Sequence, residues 1–278
     1  MIYCNAKLNL YLKIVGKRED GYHLLNMINV PISIYDEMEI EIKKGSGNLI
    51  QNFNPNINCL PEKTTIYKAF CLLKNFLPDD IDIVVNIKKE IPEGSGMGGG
   101  SSDSAFLIKY LVEKYKIVID NNMRGEIANK VGADVPFFIF NKPAYLDGIG
   151  ENVYPYKSFP RLSFIIIKPD FSINTGWAYS CVKNFSKEDR SLKKESLGID
   201  EILALMENDL EKIAEEKFFQ IKKIKKFLYN NNAKKAMMTG SGSAVFGIYR
   251  EEEIEEAFFK AKKAFPEYRI FKAHTIGA

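Results

Sequence analysis

The stretch IPEGSGMGGGSSDSA, Ile91 to Ala105, carries five glycines in the seven positions 94–100. It directly follows IDIVVNIKK (81–89), whose alternating β-branched residues read as a strand. It precedes a segment running to about Tyr115 that reads as a helix. Backbone N–H groups at a helix N-terminus form an anion site, and glycines let a phosphate approach them. Ser101 or Ser102 is placed to cap this helix, with Asp103 in its first turn, where the dipole favours negative charge. The loop lacks the Lys-Ser or Lys-Thr that a Walker loop carries after its last glycine. Gly94, Gly96 and Gly99 thread onto G-x-G-x-x-G, yet no acidic residue caps a following strand about 20 residues on, as a dinucleotide fingerprint requires. A flexible linker is the plain alternative, and the position between two patterned elements argues against it.

Elsewhere the pattern mixes strands and helices without a strict βαβ rhythm, which predicts an α+β fold. In AKLNLYLKI (6–14), Leu8, Leu10, Leu12 and Ile14 share one face and Lys7, Asn9, Tyr11 and Lys13 the other. Met38, Ile40 and Ile42 alternate with glutamates in the same way. Helices are expected over 64–77, 122–131 (ended by Gly132) and 251–264, and amphipathic helix over most of 183–230. FFIF (137–140), AYL (144–146), LSFIIIK (162–168) and RIFKAHTI (269–276) read as strands. AMMTGSGSAVFGIY (236–249) reads as strand, glycine turn, strand. The pause at YPYKSFP (155–161) places a boundary between lobes of 1–157 and 158–278.

A chain of 278 residues buries enough surface, roughly 75% of what its unfolded form exposes, to need no staples. Net charge is 39 minus 36, or +3, too small to argue for nucleic acid. The basic segment KIKK (223–226) reads as a solvated helix face. Cys4, Cys59, Cys71 and Cys181 show neither metal-ligand nor disulfide spacing, which points to free thiols in a reducing cytosol. Lys7 and Lys13 interrupt the N-terminal apolar stretch, and no run approaches the roughly 20 apolar residues of a membrane span. The expectation is a cytoplasmic protein with no membrane and no nucleic-acid partner, a monomer or a homodimer.

Pro92, Glu93, Gly94, Ser95, Gly96, Met97, Gly98, Gly99, Gly100, Ser101 and Ser102 together resemble the phosphate loop of the GHMP kinases, which include galactokinase, homoserine kinase and mevalonate kinase. Met97 stands where the family usually has Leu, a volume-conserving exchange. AKLNL at 6–10 and MTGSGSAVF at 238–246 resemble the family's first and third motifs, in the right order. The stretches AKLNLYLKIVGKREDGYHLL, GADVPFFIF (132–140), GIGE (148–151) and NDLE (208–211) extend the resemblance over nearly the whole chain. They are similar to the branch of the family that phosphorylates a methylerythritol bearing a cytidine diphosphate, in the non-mevalonate route to isoprenoid precursors.

The resemblance implies a two-lobed fold, with an N-terminal lobe like ribosomal protein S5 domain 2 and a ferredoxin-like C-terminal lobe. The N-terminal lobe would bind ATP with Mg²⁺ and hold the catalytic residues, and the C-terminal lobe would contribute to substrate binding. Asp134 is implied as the general base and Lys7 as the cation beside it, keeping the carboxylate ionised. On the residues alone, Asp134 reads as a turn aspartate and Lys7 as a surface lysine. Asn9 shares a strand face with Lys7 and is a candidate substrate ligand. In Asp20-Gly21-Tyr22-His23, Tyr22 offers a ring on which cytosine can stack and His23 a group to read its edge. The resemblance implies a second aromatic, matched here by Tyr179, with Trp177 two residues away. The turn Gly240-Ser241-Gly242 is implied to pack beside the phosphate loop. No dedicated metal cage stands out, as expected for Mg²⁺ carried by phosphates. Relatives commonly have Asn-Leu where this chain reads Lys63-Thr64-Thr65, near the family's adenine pocket, and Thr64 can keep a hydrogen bond there.

Three other readings remain, one of them a nucleic-acid module suggested only by the modest basic charge and KIKK. Another GHMP kinase, for mevalonate, phosphomevalonate or homoserine, is disfavoured by DGYH, because those acceptors have no base to stack. A binding protein without activity on the same fold is disfavoured by the presence of both Lys7 and Asp134.

Overall fold

The computed structural model of the chain describes residues 1–57 and 59–277, and every side chain among them except those of residues 121, 122, 124 and 190. They form two compact units: Met1–Ala6, Ile34–Ile91 and Gly98–Asn141 make the first, and Lys7–Ser33, Pro92–Met97 and Lys142–Ala278 the second. Strands β1 (Ile2–Lys17) and β2 (His23–Lys44) contribute residues to both.

In the first unit, the outer half of β2 pairs antiparallel with a later strand, from Glu37 opposite Lys88 to Lys44 opposite Ile81. Between them in sequence come β3 (Leu49–Asn54) and helix α1 (Thr65–Leu73), and the partner strand is β4 (Ile81–Lys88). β3 lies parallel to β4 on its other side. Thr64 caps α1 by accepting the Tyr67 N–H at 3.0 Å, and a 3₁₀ turn over Lys74–Phe76 finishes it. Ile83, Val85 and Ile87 of β4 are buried, as are Ile66 and Leu73 of α1. Helix α2 (Gly99–Tyr115) buries Leu107, Ile108 and Leu111 and packs against α1. α3 (Asn121–Glu126) continues as a wider π turn to Val131, closed by Gly132 as its sequence suggests.

FFIF does not form a strand. Residues Val135–Phe140 are helix α4. Pro136 near its start fits a helical first turn, and Asn141, at φ 52, ends it. An apolar run of four residues carries neither period clearly, so burial of Phe137 and Phe138 together was compatible with either state.

In the second unit, β2 pairs with β5 (Ala144–Asp147), which turns back into β6 (Asn152–Pro155). The rest forms β7 (Ser163–Lys168), α5 (Thr175–Ser180), α6 (Ile199–Leu205), β8 (Glu207–Asn208), α7 (Asp209–Lys217), α8 (Phe219–Asn230), β9 (Lys235–Met238), β10 (Val245–Tyr249), α9 (Ile254–Ala264) and β11 (Arg269–His274). β8 runs parallel to β1, with Tyr11 opposite Glu207. The order β11-β7-β10-β9, all antiparallel, is that of a ferredoxin-like sheet, with α8 packed on β9 and β10 and α9 on β7 and β11. The amphipathic region expected over 183–230 has only a 3₁₀ turn (Arg190–Leu192) before its α-helices begin at Ile199, and Phe218, at φ −123 and ψ 85, breaks it between α7 and α8. The chain is thus α+β, and no described helix is long and apolar enough to cross a membrane.

Candidate active site

The polar side of β1 is not solvent-facing as its alternation suggests. Lys7 and Asn9 are 3% and 1% exposed, so this part of the strand is covered on both faces. Buried polar groups need partners. Lys7 Nζ donates to Asn9 Oδ1 at 2.5 Å. Asn9 Nδ2 donates to Asn29 Oδ1 at 2.7 Å, and the Asn9 backbone N–H to Thr239 Oγ1 at 3.0 Å. The network fixes the Asn9 amide: its oxygen faces the Lys7 ammonium and the Thr239 hydroxyl, its nitrogen faces Asn29.

Residues 94–97 of the glycine loop lie against the turn 239–244. Ser243 and Ala244 donate backbone N–H groups to the carbonyls of Gly94 and Ser95, and Lys7 N–H donates to Met97 O at 3.0 Å. A Cβ at Gly96, where φ is +77°, would come 2.2 Å from Thr239 O. One at Gly240 would come 3.2 Å from both Asn9 Oδ1 and Gly96 O. Ser241 Oγ pairs with Thr175 Oγ1 at the start of α5. Asn208 holds the turn from behind, with Nδ2 donating to Met238 O and Gly240 O, each at 2.8 Å. Its neighbours continue the work: Asp209 accepts from Lys13 Nζ and Ile14 N–H, and Glu211 from Met238 N–H. Thr239, Asn29 and Asn208 carried no individual expectation from sequence, because their partners are distant amides and carbonyls.

Tyr179, on α5, lies 5.1 Å from His23 between ring centroids, tilted by 33°. Phe185, exposed and not anticipated, meets the same imidazole edge-on at 6.4 Å. Trp177 points elsewhere, with its ring against Phe218 and under the Lys217 ammonium. Asp20 Oδ1 accepts the Tyr22 N–H, Gly21 takes φ +90°, and the Tyr22 ring is left 45% exposed beside this cluster in sequence. Burial, and then the charge of Lys17, hold the His23 imidazole below its ordinary pKa. His23 is therefore neutral at pH 7, one nitrogen donating and one accepting.

In the first unit, α2 begins at Gly99, two residues ahead of the expected serine cap. Gly98, at φ 75, occupies the cap position, and no side chain caps the helix. The serines are engaged elsewhere: Ser102 Oγ donates to Asn5 O at 2.7 Å. The Ser102 N–H bonds Gly98 O, so the N–H groups of Gly99, Gly100 and Ser101 are the open donors of a 17-residue helix. Their number and the absence of a side-chain cap suit a phosphate group. Thr65 Oγ1 fixes Gly100 O at 2.6 Å, while Thr64 Oγ1 is taken up by Gln51 and Pro61 O. Asp103 lies beyond the first turn and is buried. Its Oδ2 accepts from Lys89 Nζ at 2.6 Å, and Lys89 also pairs with buried Asp36. Burial pushes the Asp103 carboxyl up to about 7 despite Lys89. Burial works against the Lys89 charge, yet the two carboxylates hold it above the usual lysine value. Asp134, half-buried, starts α4 without its carboxylate capping the helix. No group of three or more candidate metal ligands occurs among the described residues.

Comparison with known proteins gives the family. The family model "GHMP kinases N terminal domain" matches residues 64–142 and "GHMP kinases C terminal" matches residues 192–267. A 4-diphosphocytidyl-2-C-methyl-D-erythritol kinase of Bacteroides fragilis (strain ATCC 25285) is 38% identical, over 94% of this chain and 96% of its own. Its counterpart in Citrifermentans bemidjiense is 34% identical, over 89% of this chain and 88% of its own. A crystal structure of 4-(cytidine 5'-diphospho)-2C-methyl-D-erythritol kinase superposes with a TM-score of 0.79 at 26% identity, covering 99% of both chains. The chain therefore belongs to the GHMP kinases, among the relatives of 4-diphosphocytidyl-2-C-methyl-D-erythritol kinase, and is a small-molecule kinase.

Proposed function

We propose that this enzyme transfers the γ-phosphoryl group of ATP to the 2-hydroxyl of 4-diphosphocytidyl-2-C-methyl-D-erythritol, in the cytoplasm, as a step of the non-mevalonate route to isoprenoid precursors. The observation that carries the choice of acceptor is the pairing of His23 with Tyr179 at 5.1 Å. A neutral imidazole beside aromatic faces suits a pyrimidine, whose ring stacks and whose edge presents both donor and acceptor. Mevalonate and homoserine have no ring to use it. The names of the relatives above support the same acceptor.

Bound ATP with Mg²⁺ supplies the phosphoryl group and the neutralising charge. The open N–H donors of Gly99, Gly100 and Ser101 hold phosphate oxygens. Residues 92–98 shape the loop that leads to them. Asp134 takes the proton from the acceptor hydroxyl, and Lys7 assists it as a cation whose position is fixed by Asn9. Asn9 also orients the acceptor, and Tyr22, His23 and Tyr179 bind its cytosine. A phosphorylation assay offering the cytidine substrate, mevalonate and homoserine in parallel tests the assignment. Turnover of mevalonate or homoserine without turnover of the cytidine substrate overturns it.

A further inference from the structure

We propose that Lys89, Asp36 and Asp103 form a buried clip that fixes both ends of the glycine loop and so sets the affinity for ATP, an inference that rests on reading that loop as the ATP phosphate site. Lys89, Glu90 and Ile91 are the last residues before the loop. All three are tied to β2 through one carboxylate. Asp36 Oδ1 accepts the N–H groups of Glu90 and Ile91 at 2.6 and 2.8 Å, and Oδ2 accepts the Lys89 ammonium. The same ammonium reaches Asp103 on α2, the helix that follows the loop. The exit is packed on the entrance as well: a Cβ on Gly99 would come 3.0 Å from Ile91 Cγ2 and 3.5 Å from Asp36 Oδ2. Residues 92–98 thus leave and return between two anchors whose separation the clip holds constant.

The side chains of Asp36, Asp103 and Lys89 are 0, 2 and 9% exposed. A buried ionic group of this kind is a poor source of stability, because apolar residues of similar volume do as well, while loss of Lys89 leaves two buried carboxyl groups without their cation. Its chemical advantage is direction: an ammonium between two carboxylates specifies where three chain segments sit. The segment so placed carries the Gly99, Gly100 and Ser101 N–H groups. The sequence places Asp103 only in a helix turn and carries no expectation for Asp36.

The test measures binding of a fluorescent ATP analogue to the full chain, wild type, K89M and D103A, at a temperature where circular dichroism shows each fully folded. Amide hydrogen exchange is followed on the same samples. K89M is expected to weaken ATP binding at least tenfold and D103A at least fivefold, with faster exchange confined to about residues 89–104. Unchanged ATP affinity in both variants overturns the clip, and so does exchange that rises evenly over the whole first unit. D103A leaves the Lys89–Asp36 pair intact and carries the test alone should K89M fail to fold. A wild-type chain that binds no ATP sinks the phosphate-loop reading itself, an outcome distinct from wild-type binding that the substitutions leave untouched.

Discussion

The Tyr179 ring sits 5.1 Å from the His23 imidazole, and Trp177, two residues away on the same short helix, packs on Phe218 instead. The two aromatics of this helix are thus separable by mutation. A base–aromatic stack is worth roughly 1–3 kcal/mol, or about 5- to 150-fold in affinity. Tyr179→Ala is expected to raise KM for the cytidine substrate within that range, with kcat changed less than about threefold, because stacking acts equally in ground and transition states. Tyr179→Phe retains the ring and is expected to stay near wild type. An unchanged KM in Tyr179→Ala, measured by steady-state kinetics, removes the residue from the acceptor site.

His23 gives the same site a pH signature. Its imidazole is held below the ordinary histidine value of 6.5, first by burial and then by Lys17. The neutral ring therefore persists throughout the neutral range, and its accepting nitrogen is lost only as pH falls through the lowered pKa. Affinity for CDP is expected to be flat from pH 8 to 6.5 and to decline below that. His23→Gln, which cannot take up a proton there, is expected to lose the acidic decline. Calorimetric titration across this range decides the point: identical acid limbs in the two proteins count against His23 as the edge-reading group.

Much of the local structure of this candidate site is legible in the sequence, and the reason is local. Glycines in positive φ, a strand with alternating faces and an Asp-Gly turn before an aromatic pair all leave marks within a few residues. Asn208 leaves a mark only as the cap of α7, where its oxygen accepts the Leu210 N–H. The two hydrogen bonds that its nitrogen donates go to main-chain carbonyls of a turn some thirty residues later, and any sequence supplies carbonyls. The same holds for Asp36, whose partners include the Glu90 and Ile91 N–H groups. The serine cap failed as an expectation because Gly98 reaches a left-handed φ that starts the helix early, freeing Ser102 for Asn5. The alternation of β1 was correct as a period but did not say that the polar face would also be covered.

The contrast between two glycines tests the packing of the loop. Gly96 combines φ +77° with a Cβ position 2.2 Å from a backbone oxygen, that of Thr239. Gly125, within α3, has nothing within 4 Å of its Cβ position and no positive φ. Gly96→Ala is expected to cost about 1–3 kcal/mol of stability through backbone strain, before any displacement of the turn. It should also lower kcat/KM for ATP by about tenfold or more. Gly125→Ala is expected to be neutral or stabilising by up to about 1 kcal/mol. Urea denaturation of both proteins, alongside ATP kinetics, separates the cases. Equal stability in the two variants contradicts the close approach at Gly96.

Asn208→Ala addresses the support behind the third glycine turn. The side chain is 4% exposed and offers two donors to Met238 O and Gly240 O, while its oxygen takes the Leu210 N–H. Removing it strands buried backbone groups, each costing on the order of 1–3 kcal/mol. A loss of at least about 2 kcal/mol in unfolding free energy is expected, and no smaller a loss for Asn208→Asp, whose buried carboxylate keeps the acceptor to Leu210 but sets an oxygen without a proton against both carbonyls. A loss under about 0.5 kcal/mol in Asn208→Ala, by denaturant titration, means that water or a shifted chain replaces it without cost.

Asp134 separates activity from stability. As the residue that opens α4, it would ordinarily be read as a cap, and its replacement as costly to the helix. Asn is nearly isosteric with Asp and as well suited to a helix start, so Asp134→Asn is expected to change stability by less than about 1 kcal/mol. An amide, however, cannot accept the hydroxyl proton. The rate is then expected to fall by about 10²–10⁴, the usual contribution of a positioned general base, with ATP binding kept within about threefold. Rapid-quench measurement of phosphoryl transfer, with both substrates saturating, isolates the chemical step from product release. Near wild-type transfer in Asp134→Asn rules out this carboxylate as the base. A slow variant that has also lost ATP binding or cooperative unfolding assigns it a structural role instead.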